Sequence, residues 1–471
     1  MFEKRFDFDL INKISEICDL LLKTCNEDVK PNKLVEKFEN CSKHINTLLQ
    51  IQKDYSFISV KKIEHSNEMR LNNCQKLIEN FRKKGLISKL SILESKSGKG
   101  LGLYSDDLID KYDLTISVPI DQMITEHETY LSKFGLFLMS NQLTKTMPNL
   151  SLSLYLLNEC LSECSVHQDY INCLPFNVDN FLYMQIEEIK LLQHSQYLSE
   201  IIQQFCLFCC HYCNLFRVLS VAETVDGCWF KNSFCFEDFR WAISVIMSRN
   251  NYIPSTDGKS KMLALIPVWD MMNHKLGEVT TDFDIENQSL LFYSMCSYQI
   301  NDEVCMDYGK RSNFHYFLYS GFIPDYNAFD TYHLKIGFNR QDSFYRLKQQ
   351  ILMSLSINCD NPTIAVDYSV GSNMSDSILS FYLAIMLCKE GKCLEAILNS
   401  ENIKEEIIKY AKLVWNDVKR FLKVRLEISI NSFNKSLDQS NAMISSDLQS
   451  LGTSLLVYEK KVMNIILEKL N

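Results

Sequence analysis

Glycine and proline are scarce in this chain of 471 residues, at 14 and 8. That excludes collagen-like and low-complexity classes and leaves few positions for tight turns, so long helices are expected. An excess of positive charge is lacking as well: 49 Lys and Arg stand against 58 Asp and Glu, a net charge of −9. Nothing in that balance calls for nucleic acid, because phosphate binding draws on a basic face. Long apolar runs are also missing. The longest uncharged run, Ile201 to Phe216, carries Gln203, Gln204, His211 and Asn214. It is about a turn too short for a membrane span and reads as a buried helix. The opening MFEKRFDFDL mixes both charges with apolar residues and holds no core of signal-peptide length. The expectation is a monomer of the cytosol, or also of the nucleus, partnered with neither membrane nor nucleic acid.

What is present begins with an average soluble composition, 46% apolar and 23% charged, enough for about three structural units. Cysteine is abundant, at 18. Disulfide frameworks belong to small secreted domains, so reduced thiols are expected here. Cys206, Cys209, Cys210, His211 and Cys213 carry two C-x-x-C spacings. A structural zinc site normally places a second half-site about 12 to 20 residues away. Cys228 and Cys235 are too far apart to supply one, and Phe205, Leu207, Phe208 and Leu215 surround the cluster. The cluster therefore reads as core thiols, with no metal.

Apolar residues recur at helical spacing from residue 8 to about 55, with an interruption expected near Pro31. A further helix runs from about Arg70 to Lys84 and stops at Gly85, a suitable C-cap. Ile87–Glu94 and Leu114–Pro119 read as short strands. From Glu126 to about Arg249 the pattern is helical, strands return between Leu263 and Asp307, and helices follow from about Asp325. Ile403, Ile407, Ala411, Val414, Val418 and Phe421 form one apolar stripe, and Asn358 to Ser377 reads as a polar loop. This is not the alternation of a doubly wound sheet.

Three short segments carry chemistry. Gly98, Gly100 and Gly102 lie in a loop spaced by two, which fits neither the dinucleotide fingerprint nor a P-loop. Taken alone, it suits a plain turn as well as a ligand loop. Leu265 to His274 is an apolar strand ending in Asp270, Asn273 and His274; such polar groups find partners or cost about 1–3 kcal/mol each. Backbone neighbours could be those partners. Glu303 to Asn313 holds Tyr308-Gly309, which could present a hydroxyl to a cleft or bury it in the core.

Their order is more telling than any one of them. With Ser248-Arg249-Asn250-Asn251 and Ile253-Pro254, they resemble the SET-domain protein methyltransferases, and within these the actin-histidine N-methyltransferases of the Rubisco large-subunit methyltransferase-like branch. The likeness is dense over about residues 230–325, thinner from Arg70 to Val118, and only architectural elsewhere. It implies an α+β fold: an N-terminal helical segment (1–85), a knotted, β-rich SET core (86–325) with a helical insertion at about 126–249, and an all-α substrate-binding domain (326–471).

The resemblance also implies S-adenosyl-L-methionine as cofactor. Arg70 is similar to the family residue that grips its carboxylate. Lys99, Gly100 and Leu101 fall on the loop passing along it, where the family usually has Glu-Gly-Phe-Gly and this chain has Lys99-Gly100-Leu101-Gly102. Arg249 matches a cofactor-contacting arginine, and Asp270, Met271, Met272, Asn273 and His274 match the threaded segment of the knot. Ser320, Gly321 and Phe322 match a closing contact. On the acceptor side, Tyr308 matches the methyl-transfer tyrosine, Trp269 a pocket wall and Arg311 a substrate-side contact. Asn251 stands where the lysine enzymes usually carry an aromatic residue. The implied activity is methylation of the tele nitrogen of a histidine in actin by direct displacement. Lysine methylation and a non-catalytic scaffold are the alternatives.

Overall fold

The computed structural model describes residues 4–64, 66–95, 100–335, 339–357, 363–367, 378–441 and 447–470. It divides into two compact units. The first comprises Met1–Ile186, Glu200–Lys310 and Phe317–Phe322; the second comprises Glu187–Ser199, Arg311–Tyr316 and Ile323–Asn471.

The first unit opens with α1 (Phe8–Asn26) and α2 (Leu34–Gln52), separated by a 3-10 turn that begins at Pro31, as the position of that proline predicts. α3 (Phe57–Glu64) has its N-terminus satisfied from a distance. The buried Asp238 carboxylate accepts from Ile58 N at 3.0 Å and Phe57 N at 3.2 Å, and from the Ser56 hydroxyl. α4 (Asn67–Lys83) is capped by Ser66 and ends at Gly85, where φ is +102° and Leu86 N donates to Phe81 O at 2.9 Å. That backbone conformation is open to glycine and explains the stop.

Five strands follow: β1 (Ile87–Ser88), β2 (Leu90–Glu94), β3 (Leu101–Ser105), β4 (Leu114–Pro119) and β5 (Ile124–Thr125). The insertion then supplies α5 (Glu126–Leu131), α6 (Gly135–Ser140), α7 (Gln142–Thr146), α8 (Pro148–Leu161) and α9 (Gln168–Ile171). After α10 (Ile186–Leu191) come α11 (Leu198–Val221) and α12 (Phe236–Arg249). α8 is buried over most of its surface and packs on α12, where Trp241 is fully buried and donates to Pro175 O at 2.9 Å. α11 contains the whole of Ile201–Phe216, as expected.

Strands resume with β6 (Asn251–Pro254), β7 (Lys261–Leu265), β8 (Thr281–Asp284), β9 (Ser289–Tyr293) and β10 (Glu303–Val304). They join the earlier strands in three antiparallel sheets, ordered β1-β4-β9-β8, β10-β3-β2 and β5-β7-β6. Segments far apart in sequence are thereby brought into register, with Glu303 opposite Tyr104 and Asn251 opposite Ala264.

The second unit is mostly helical: α13 (Asn313–His315), α14 (Tyr345–Ser354), α15 (Ile378–Leu387), α16 (Gly391–Leu398), α17 (Ile403–Leu413), α18 (Trp415–Asn441) and α19 (Asp447–Lys469). One feature corrects the all-α expectation. β11 (Thr331–Lys335) and β12 (Thr363–Asp367) form an antiparallel pair in full register. β12 lies inside the stretch read as a loop, and its run Thr-Ile-Ala-Val-Asp has the β-branched content of a strand, which the polar flanks conceal. The rest of Asn358–Ser377 lies outside the described residues. The apolar stripe of 403–421 is shared by two helices, with Ile407, Ala411 and Val418 buried and Val414 at the break. No helix among the described residues is long and apolar enough to cross a membrane.

Candidate functional site

A polar network joins β3, β10 and the segment after β7. Asn273 Nδ2 donates to Glu303 Oε1 at 2.7 Å and to Leu101 O at 3.2 Å. Glu303 also accepts from the hydroxyls of Ser95 (3.1 Å) and Tyr104 (3.3 Å). Gly102 makes this approach possible: a Cβ there would sit 2.4 Å from Glu303 Oε1 and 3.1 Å from Asn273 Nδ2. Among the described residues Asn273 Oδ1 has no hydrogen-bond partner, so it remains an acceptor.

The same segment is tied to the Tyr308 stretch. His274 and Met306 form a parallel bridge, Met306 N donates to Asn273 O at 3.0 Å, and Lys275 N donates to Met306 O at 3.0 Å. Tyr308 N donates to His274 Nδ1 at 3.2 Å, which fixes the proton of a neutral imidazole on Nε2. The Tyr308 hydroxyl donates to Met272 O at 2.8 Å. The Phe322 ring closes over both, with centroids 5.9 Å from His274 and 6.1 Å from Tyr308. Ser320 ends the π-helical turn Tyr316–Ser320 that leads into Gly321. Gly321 has φ +71°, and a Cβ there would lie 2.3 Å from Asp179 O, so no other residue fits without a backbone shift.

Two arginines supply positive charge. Arg70 Nε donates to Cys173 O at 2.7 Å, and its Nη1 lies 4.0 Å from the point where a Gly100 Cβ would be. The Arg70 Nη atoms make no hydrogen bond among the described residues. Burial, then the charge of Arg249, pushes the guanidinium down to about 10, a sign of cationic charge short of a counter-ion. Arg249 pairs with Asp270: Nη1 is 3.3 Å from Oδ2 and donates to Asp270 O at 3.1 Å. Burial works against the charge on Arg249, but Asp270 outweighs it and the pKa is raised. The Tyr170 hydroxyl also donates to Asp270 Oδ2. Arg249 Nε and Asp270 Oδ1 are buried with no partner among the described residues.

A strained turn sets the start of this segment. Val268 has φ +68° and ψ −54°, and Trp269 N donates to Pro267 O at 2.9 Å, a γ-turn of the positive-φ kind centred on a β-branched residue. Such backbone costs about 1–3 kcal/mol. It aims the buried Trp269, Asp270, Met271 and Met272 into the core, with Trp269 Nε1 donating to Thr281 Oγ1 at 3.3 Å. Asn251 stands at the head of β6, two residues after Arg249. Its Oδ1 accepts from Tyr252 N at 2.9 Å, and its Nδ2 has no partner among the described residues.

The structure thus brings together Arg70 with Gly100, Arg249 with Asp270, and Leu101, Asn273, His274, Tyr308 and Phe322. Lys99 lies outside the described residues. Arg311 belongs to the second unit, where its carbonyl accepts from Asn327 Nδ2 at 2.8 Å. The sequence reading gave no role to Glu303, the acceptor at the centre of the network. Its place inside the Glu303–Asn313 segment was the available signal.

The donor set suits S-adenosylmethionine. The free Arg70 edge beside a positive-φ glycine fits a carboxylate, Asn273 Oδ1 fits a donor, and the orphaned Arg249 Nε and Asp270 Oδ1 mark unfilled hydrogen-bonding capacity.

No protein-family model matches the chain. Curated proteins named actin-histidine N-methyltransferase are similar to it. The protein from Mus musculus is 29% identical over 380 residues, covering 79% of this chain and 63% of that protein. The one from Homo sapiens is 28% identical over the same shares. For Dasypus novemcinctus the similarity extends over 470 residues at 25% identity, covering 98% of this chain and 76% of that protein. The chain spans 63% of the length of the first of these relatives. Among solved structures, the SET domain of LSMT bound to lysine and AdoHcy aligns with TM-score 0.64 at 20% identity, covering 85% of this chain and 91% of that one. Rubisco LSMT bound to AdoMet aligns with TM-score 0.64 at 21% identity, covering 84% and 91%. The chain has the SET-domain fold.

Proposed function

We propose that this chain is a protein-histidine N-methyltransferase that modifies the tele nitrogen of a histidine in actin. The reading is supported by Asn251, a carboxamide where a lysine channel would carry an aromatic ring, and by the similarity to curated actin-histidine enzymes. When bound, S-adenosylmethionine would supply an electrophilic methyl carbon on a sulfonium.

The residues of the chain supply orientation. Arg70 would take the carboxylate of the cofactor with its free guanidinium edge. Gly100 and Leu101 would run along it with their backbone, leaving Lys99 and the aromatic-to-Leu101 change without a side-chain role. Asn273 and His274 would lie against it from the threaded segment, held by Glu303 and Tyr308. Arg249 and Asp270 would add the polar atoms now orphaned, and Ser320–Phe322 would close the site. Burying these groups with partners removes the penalty of about 1–3 kcal/mol that each would otherwise carry.

On the acceptor side Asn251 Oδ1 would accept the N–H of the pros nitrogen. That fixes the tautomer whose tele nitrogen bears the lone pair, and it would stabilise the positive charge growing on the ring as the carbon–nitrogen bond forms, the carbon–sulfur bond breaks and its electron pair goes to the departing thioether sulfur. The pros proton then leaves to solvent. A reference imidazole pKa near about 6.5 keeps the acceptor neutral at pH 7, so the site needs no strong base. Tyr308 and Trp269 would wall the channel and keep the reacting atoms about 3–3.5 Å apart. Arg311 would serve the protein substrate. A net charge of −9 agrees with a protein substrate rather than nucleic acid, and the work would take place in the cytosol or nucleus.

The test is methyl transfer from labelled cofactor to actin, with the modified residue mapped by mass spectrometry. We expect methylhistidine, and a loss of about 10- to 100-fold for Asn251→Ala, the range of one unsatisfied polar group, with cofactor affinity unchanged. Product on lysine would move the chain to the Rubisco-type activity. Cofactor binding without any product would make it a scaffold.

A further inference from the structure

The thiols of α11 do not stand alone. Cys206, Cys209 and Cys210 share one face of that helix by their spacing of three and four. Cys25, in the last turn of α1, and Cys41, inside α2, are packed against that face. The Sγ atoms of Cys25, Cys41 and Cys206 all lie within 4.8 Å of one another, and those of Cys25 and Cys41 are 3.7 Å apart. Four sulfurs held tetrahedrally at about 2.3 Å from an ion are separated by about 3.8 Å, close to the 3.7 Å between Cys25 and Cys41. A disulfide would need about 2.05 Å and could join only two of the three. The thiols of Cys209 and Cys210 also reach that of Cys25, and Cys210 is the half-exposed member, offering an entry path.

The surroundings favour a bound cation with thiolate ligands. Lys37 Nζ donates to Cys25 O at 2.7 Å and Glu27 O at 2.8 Å, parking a positive charge beside the sulfurs. The rings of Phe38 and Phe205, 4.6 Å apart, bring α2 and α11 together beside them. The second half-site that the sequence window did not contain is thus provided by two helices more than 160 residues earlier.

We propose that Cys25, Cys41 and Cys206 form a zinc site that clamps α1 and α2 to α11, with Cys210, whose thiol lies outside the close group of three, turning in as the fourth ligand. With four protein ligands and no open position the site is structural. Binding of Zn²⁺ releases the protons of whichever thiols are still protonated, and the excess negative charge of the thiolates is offset in part by Lys37.

The full chain, purified without chelators or metal resins, would be analysed by plasma mass spectrometry. We expect one zinc per chain, retained in the control Cys164→Ser, whose thiol is exposed, and lost in Cys25→Ser and Cys206→Ser. Because those variants could fail to fold, the wild-type chain would also be stripped and loaded with Co²⁺. Thiolate-to-cobalt charge-transfer bands with intense tetrahedral d–d bands support the site. Metal-free wild-type protein that gives no such bands with Co²⁺ overturns it, as does a Cys25–Cys41 disulfide in the purified chain.

Discussion

The strand-built centre around Asn273 and the helical layer of α8 and α12 are held together by different physics. In the first, Asn273, Glu303, Ser95, Tyr104 and Tyr308 each have a partner on another segment at hydrogen-bonding distance. In the second, most buried side chains are apolar, with Ser151, Ser153, Asn158, Glu237, Asp238 and Ser244 as the polar exceptions. Directional bonds fail when one atom is displaced, whereas apolar packing yields in proportion to the volume removed. The site is therefore brittle and its support is tolerant.

The strongest way to break this contrast is Gly102→Ala. The new Cβ would meet a carboxylate that is already bonded on three sides and has nowhere to move. Calorimetry with S-adenosylmethionine should show affinity reduced more than about 100-fold, equivalent to the loss of more than one charged hydrogen bond. Retained affinity would mean the network bends as the helices do. Next comes Arg70→Met, which keeps the aliphatic stem and removes the free guanidinium edge. Cofactor affinity should fall about 10- to 100-fold, as for one hydrogen bond to a charged group, with some loss of melting temperature because the Nε bond to Cys173 O goes too.

The smallest effect sharpens the comparison from the helical side. Burial pushes the Asp238 carboxyl up to about 7, against the pull of its three donors at α3. A folded-state pKa above the unfolded value means the folded chain holds the extra proton. This contribution to stability is complete below about pH 4 and is lost as pH rises through 7, at up to about 1.4 kcal/mol per pH unit. Denaturant titrations between pH 4.5 and 7.5 should show a steeper fall in the wild type than in Asp238→Asn, in which the buried Glu459, raised to about 8, still contributes. Equal slopes would show that the donors win and the carboxylate is ionised throughout.

What could be read from the sequence follows the same division. Gly85, Pro31 and the run Ile201–Phe216 declare their structure within a few residues, because caps, kinks and helical periodicity are local. Asn273, His274 and Tyr308 were legible only through the order of three weak segments. Glu303 was not, because its partners Ser95 and Tyr104 lie about 200 residues away and only the β3–β10 pairing delivers them. The meeting of Cys25, Cys41 and Cys206 was hidden for the same reason. β12 was missed because five strand residues sit within a polar stretch.

The γ-turn at Val268 has a consequence for any screen of variants. Glycine there would release about 1–3 kcal/mol of strain and forfeit about 1.5–3 kcal/mol of buried isopropyl. Heat resistance would then register almost nothing, while the tether that aims the indole of Trp269 would lose its stiffness. Position 268 is a place where tolerance measured by survival of the fold and tolerance measured by turnover should disagree.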